Sequence, residues 1–162
     1  MQIRMFKNIV LIITSAILLC NCTSLNKETK DRYLTSPFPP LEDIKNELSQ
    51  DVKVESVYLQ GSDTLVIDFN PANNLTANLV GTSAKNDVLK ILSAVKEMSL
   101  GYGLYKIRGI FPLADEYGNT EEKVVIYLIY KREKIQRINF EGMKSENVFK
   151  IADVKEIHPQ FE

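Results

Sequence analysis

The chain has one histidine, His158, which precedes Pro159 near the C-terminus and is the only imidazole available as a general base or a zinc ligand. Either role needs partners: a base must lie within hydrogen-bond reach of the group it deprotonates, and zinc needs three or four N, S or O donors. No cysteine follows Cys22, and no carboxylate motif stands at ligand spacing from His158. His158 is therefore expected to pack or to shape a turn. Ser62, Ser83 and Ser99 fall in a turn or at helix ends, outside the Gly-x-Ser-x-Gly arrangement that presents a hydrolase nucleophile. Gly101-Tyr102-Gly103 has the glycine content of a phosphate loop but the reverse context, following a helix pattern and preceding a strand pattern. These residues predict no catalytic group, cofactor or metal site.

Three further clusters carry charge or aromatic surface. Asp115, Glu116, Asn119, Glu121 and Glu122 could offer oxygen to calcium, but their spacing does not match a calcium loop and a solvated turn is expected. Lys131, Arg132, Lys134 and Arg137 could touch anionic headgroups or a partner; Glu133 and Glu141 dilute the run, and a solvated helix face is expected. Tyr102, Tyr105, Tyr117, Tyr127 and Tyr130 concentrate in one stretch as either a binding surface or sheet packing, with packing the expectation.

The two cysteines, Cys20 and Cys22, close an apolar run from Ile9 to Leu19 that Arg4 and Lys7 precede. That run is shorter than the roughly 20 apolar residues a membrane-spanning helix needs, and it has the length and flanks of a signal peptide. An uncleaved anchor helix and a buried N-terminal helix are the alternatives. Leu19-Cys20-Asn21-Cys22 resembles the lipobox of bacterial lipoproteins, which implies acylation of a cysteine that becomes the first mature residue. Cys22 fits best, with Leu19 three positions before it; Cys20 is second, because it requires cleavage after the bulky Leu19. Asn21 departs from the usual Gly, Ala or Ser. Residues 1–21 then form the signal peptide, and the membrane partner is reached through covalent lipid, on the cell membrane or outer membrane, facing away from the cytoplasm. Removal of Arg4 and Lys7 leaves 18 basic against 21 acidic side chains, a balance that argues against nucleic acid as a partner.

Stepping along the mature chain, residues 22–50 read as lipid anchor and tether, polar and then proline-rich, with a short helix predicted from Leu41, Ile44 and Leu48. Residues 51–162 read as one α+β domain. Val52–Leu59 and Thr64–Phe69 predict a hairpin about Gly61-Ser62-Asp63. Ala84, Val88, Ile91, Leu92, Val95 and Met98 predict an amphipathic helix, capped by Thr82 or Ser83 and ended by Gly101. Leu104–Phe111 and Lys123–Tyr130 predict a second hairpin. The later strand is apolar on both faces, which requires a central position or cover from Ile135, Ile138, Phe140 or the stretch holding Val148, Phe149, Ile151 and Val154. The predicted order is ββαββ, with the helix packed on an antiparallel or mixed sheet and short C-terminal helices.

The segment from Val57 to Ile110 resembles the GerMN domain of bacterial envelope lipoproteins involved in spore germination and related cell-surface tasks. The matching residues are the strand Leu65-Val66-Ile67-Asp68-Phe69-Asn70, the loop Gly81-Thr82-Ser83, the helix residues Ile91-Leu92 and Val95, and the strand Ile107-Arg108-Gly109. The remaining hairpin and the end, Ile151-Ala152-Asp153 through Ile157-His158-Pro159, are similar to small uncharacterised lipoproteins of Gram-positive bacteria and their mobile elements. Neither resemblance implies a catalytic residue. The expected function is a noncatalytic envelope lipoprotein that binds a protein partner or a surface polymer. A small receptor or hydrolase with a pocket near the Asn70–Thr82 loop, built on Asp68, Asn70 and Arg108, is the first alternative; an immunity or exclusion role for a mobile element is the second.

Overall fold

The elements that build the sheet follow from alternation in two hairpins and one long helical stripe. A computed structural model of the protein describes residues 36–71 and 77–161, apart from the side chains of residues 77–79. The expected signal peptide, with Cys20 and Cys22, and part of the expected Asn70–Thr82 loop lie outside the described residues.

Strands β1 (Val54–Gln60) and β2 (Thr64–Phe69) pair antiparallel, and β3 (Leu104–Ala114) and β4 (Thr120–Lys131) form a second, longer hairpin. Helix α2 (Ala77–Glu97) links the hairpins, and β2 and β3 run parallel at the centre, a pairing that needs a crossover of this kind. A fifth strand, β5 (Val154–Ile157), pairs antiparallel with β4 and completes a mixed sheet in the order β1-β2-β3-β4-β5. The α+β class, the ββαββ order and the amphipathic helix on a mixed sheet are therefore present.

One face of the sheet holds the core. Leu65, Ile67 and Phe69 from β2, Tyr105 and Ile107 from β3, and Ile126, Leu128 and Tyr130 from β4 are buried in one cluster with Val80, Ala84, Val88, Ile91, Leu92 and Val95 of α2. The alternation of the strands selects this face, and the helical spacing supplies the stripe that covers it. Helix α1 (Leu41–Leu48) adds Ile44 and Leu48 to the same cluster. The compact unit consequently runs from Pro37, ahead of the expected boundary at residue 51, because a tether would not bury these two side chains.

Three features differ from the sequence expectation. First, α2 begins at least seven residues before Ala84, so Gly81, Thr82 and Ser83 are helical and not a loop or cap. The low propensity of Gly-Thr-Ser is overridden by packing. Val80 continues the buried stripe, and the backbone carbonyl of Phe161 would stand 2.9 Å from a Cβ on Gly81. Second, α2 ends at Glu97 and the chain leaves through Ser99, whose φ of 53° is left-handed. Gly101 instead gives room: a Cβ there would meet the Phe38 ring at 2.7 Å, and its N–H donates to the Pro37 carbonyl at 2.7 Å. Third, the C-terminal stretch holds β5 as well as short helices, α3 (Arg132–Arg137) and two 3-10 turns, Ser145–Asn147 and Pro159–Phe161. β4 is apolar on both faces because it is internal, lying between β3 and β5. Ile135, Ile138, Val148 and Phe149 do not cover its second face but join the α2-side core.

Candidate functional site

The face of the sheet opposite α2 carries the side chains that alternate with the core. The strand registers place Ser56, Asp68, Arg108, Tyr127 and Glu156 opposite one another in a single row across all five strands. The adjoining row is Tyr58, Val66, Lys106, Ile129 and Val154. Val66 is buried yet lies outside the α2-side cluster, as expected for a small residue flanked by longer ones on the second face.

Asp68 is the buried charge at the centre. Arg108 donates from Nε to Oδ1 and from Nη2 to Oδ2, both at 2.7 Å, and the Ser56 hydroxyl donates to Oδ2 at 2.8 Å. The Asp68 side chain is 7% exposed and that of Arg108 27%, so the ion pair is sheltered from water on one side only. This bidentate geometry is the strong form of a charge-assisted hydrogen bond. The hydrogen bond to Asp68 raises the Arg108 pKa above its ordinary value against the opposing effect of burial, so the guanidinium stays cationic throughout the biological range.

Aromatic rings interleave with the cations. The Arg108 guanidinium lies 5.7 Å from the centroid of Tyr58, and Lys106 Nζ lies 5.5 Å from that of Tyr127. Lys106 also donates to Gln60 Oε1. These contacts are within cation–π range and restrict side chains that would otherwise be mobile in water. Around them Tyr58, Val124 and Val154 are 37%, 46% and 40% exposed, leaving an apolar fringe. At the β4–β5 end, Arg108, Tyr127, Glu156 and His158 line an open cleft of about 500 Å³.

The residues singled out from sequence are distributed as follows. Asp68 and Arg108 meet on the open face; residues 72–76 of the loop expected beside them lie outside the described residues. Asn70 has other partners: its backbone N–H donates to the Lys53 carbonyl at 2.9 Å, and its amide in the favourable orientation donates to Pro71 O and accepts from Lys53 Nζ. His158 donates its backbone N–H to the Val125 carbonyl at 2.8 Å and sets its ring edge-on to Phe161 at 6.0 Å, while also bordering the cleft. Ser62 and Ser99 stand at the opposite end of the strands from His158, and Ser83 is within α2. Tyr102, Tyr105 and Tyr130 are buried, Tyr117 is exposed in the β3–β4 turn, and Tyr127 alone of the five joins the open face.

The acidic turn is built by Asp115, which accepts from the backbone N–H groups of Tyr117 and Asn119 and from the Asn119 amide. The Asn119 side-chain hydrogen bond leads in lowering its pKa. Among the described residues, no three His, Cys, Asp or Glu side chains are grouped to hold a metal ion. No helix among them is long and apolar enough to cross a membrane.

No protein-family model, curated protein or solved structure matches the chain. What the open face can do is accordingly read from its own geometry. Tyr58, Lys106 and Glu156 were missed from sequence, because only the long-range register brings them beside Asp68 and Arg108. The available signal was local: each alternates with an apolar residue on its strand.

Proposed function

We propose that this protein is a noncatalytic bacterial envelope lipoprotein, acylated at Cys22, whose α+β domain binds another envelope protein through the open face of its sheet. The observation that carries the binding reading is the fixed row of Asp68, Arg108 and Tyr127 with Tyr58 beside it, bordered by exposed Val124 and Val154. Tyr and Arg are the residue types enriched where proteins meet, and a preordered pair loses little side-chain entropy on docking. The same geometry favours binding over proton transfer, since both Asp68 oxygens are engaged by Arg108 and Arg108 remains charged. The acylation reading rests on the leader and the Leu19-Cys20-Asn21-Cys22 segment.

The deciding experiment places a photo-crosslinking side chain at position 58 in cells, with position 90 on the exposed side of α2 as control. One specific adduct from position 58 and none from position 90 is the expected result; equal capture from both overturns the assignment of the face. Palmitate labelling tests the anchor separately, with label expected in the natural chain and lost when Cys20 and Cys22 are both serine.

A second reading has its own observation. The cleft beside Arg108, Tyr127, Glu156 and His158 has the volume of a small-molecule site. A ligand there would carry an acceptor for Arg108 and a donor for Glu156. Binding of such a ligand that is lost in Glu156→Gln, with crosslinking from position 58 unaffected, separates this reading from the first.

A further inference from the structure

The basic run after β4 does not simply coat a helix. Lys134 and Arg137 of α3 meet Lys150, from the segment before β5, around a shallow groove whose remaining lining is Ile138, Ile151 and Ala152. Its volume is about 340 Å³, room for a headgroup-sized anion. Lys134 is partly neutralised by Asp153 at 2.7 Å, and that carboxylate also accepts the Lys131 N–H at 2.9 Å. Among the described residues Arg137 and Lys150 have no carboxylate within ion-pair distance; Lys150 reaches only the neutral Asn147 amide, at 3.5 Å. Among the described residues, two cations without an ion pair therefore face one groove. The end of α3 that carries Arg137 is fixed, because Lys96 donates to the Ile138 carbonyl at 2.7 Å.

We propose that this groove binds the phosphate of an anionic phospholipid headgroup, so that the domain rests on the membrane surface through Arg137 and Lys150. A guanidinium matches two phosphate oxygens at once, and an ammonium adds a point charge beside it. The apolar lining from Ile138, Ile151 and Ala152 suits the glycerol and upper acyl carbons better than a fully hydrated ion. Lysine and arginine stems bury against such a surface while their charges remain at the headgroups. The choice of lipid over soluble phosphate rests on the acylation reading, whereas the groove does not; palmitate labelling tests the one and headgroup titration the other.

The test uses the full chain with Cys20→Ser and Cys22→Ser. It is titrated below the micelle concentration with short-chain phosphatidylglycerol, short-chain phosphatidylcholine and glycerol phosphate, while NMR follows Ile138, Ile151 and Ala152. Phosphatidylglycerol is expected to shift these signals saturably. Arg137→Gln combined with Lys150→Gln is expected to weaken binding about tenfold or more, with core signals of β2 and β3 unchanged. Arg137→Lys, which keeps the charge and loses the fork, is expected to weaken it less. Equal response to phosphatidylcholine, or unchanged affinity in the double variant, overturns the proposal. Equal affinity for glycerol phosphate overturns the lipid source and leaves a soluble-phosphate site.

Discussion

Arg108 meets Asp68 through two hydrogen bonds of 2.7 Å across the parallel strand pair β2/β3, on the side of the sheet that α2 does not cover. A buried carboxylate costs free energy unless its oxygens are engaged, and here Arg108 and Ser56 engage them. The pair thus ties the sheet's central strands together while presenting a fixed cation to the open face.

The two partners should be energetically coupled. Asp68→Ala is expected to lower unfolding free energy by about 2 kcal/mol, and Arg108→Ala by a similar amount because it strands the carboxylate. The double variant should lose less than the sum of the singles. Urea denaturation of the four proteins measures the coupling, and strict additivity would contradict it.

The end of α2 offers a stabilising change. Ser99 holds a left-handed φ of 53°, which disfavours any residue with a Cβ. Ser99→Gly is expected to raise stability by about 0.5–1 kcal/mol, seen as a higher urea midpoint with unchanged slope.

Near the start of α2 the reverse holds. Alanine normally improves a helix interior by about 1 kcal/mol over glycine. Yet a Cβ at Gly81 would stand 2.9 Å from the Phe161 carbonyl oxygen, a backbone atom that cannot swing aside as a side chain would. Gly81→Ala should therefore destabilise the protein, and it should loosen the Pro159–Phe161 turn first, as increased hydrogen exchange at Phe161.

Those two positions also explain how far sequence carries. The α2 stripe from Ala84 to Val95 was legible because apolar spacing is local, and the two hairpins were legible from alternation and turn residues. The first turns of α2 were not, since Gly81-Thr82-Ser83 favours loops and its helical state depends on Val80 and Phe161. Strand β5 was hidden because Val154–Ile157 has four residues, two of them charged, and exists only as a partner to β4. Among the candidate site residues, Asp68 and Arg108 were recognisable as polar positions in apolar strands. Their neighbours alternate with apolar residues on their own strands, but which of them face one another across five strands is set by register and leaves no trace in the sequence.

Alkaline stability should fall through two buried phenols. Burial pushes Tyr105 and Tyr130 far above the ordinary tyrosine pKa of 10.0. Their hydroxyls donate to the carbonyls of Leu100 and Val148, each at 2.8 Å. The unfolded chain releases these protons near pH 10 while the folded chain keeps them. Stability is thus unaffected below that pH and declines above it, by up to about 1.4 kcal/mol per pH unit for each phenol. Tyr105→Phe is expected to be about 1 kcal/mol less stable at pH 7, having lost its hydrogen bond, but to show a shallower decline above pH 10. Denaturation midpoints at a series of pH values measure both effects, and an unchanged alkaline slope would count against the burial argument.

Tyr58 separates folding from recognition on the open face. The residue is 37% exposed, and the Arg108 guanidinium lies 5.7 Å from its ring centroid. An exposed cation–π contact is worth about 0.5–1 kcal/mol, so Tyr58→Ala should reduce stability by no more than about 1 kcal/mol. The Asp68 ion pair would remain, although the guanidinium would lose the ring that shelters one side of it. If a protein partner docks here, the same change removes an aromatic anchor beside a fixed arginine, a loss of the kind that weakens binding about tenfold or more. Retention of the crosslinked partner can be compared between Tyr58→Ala and Lys90→Ala, the latter on the far side of the molecule. Loss of the adduct only in Tyr58→Ala, with both variants folded, is the expected outcome; equal retention would remove the open face from the binding surface.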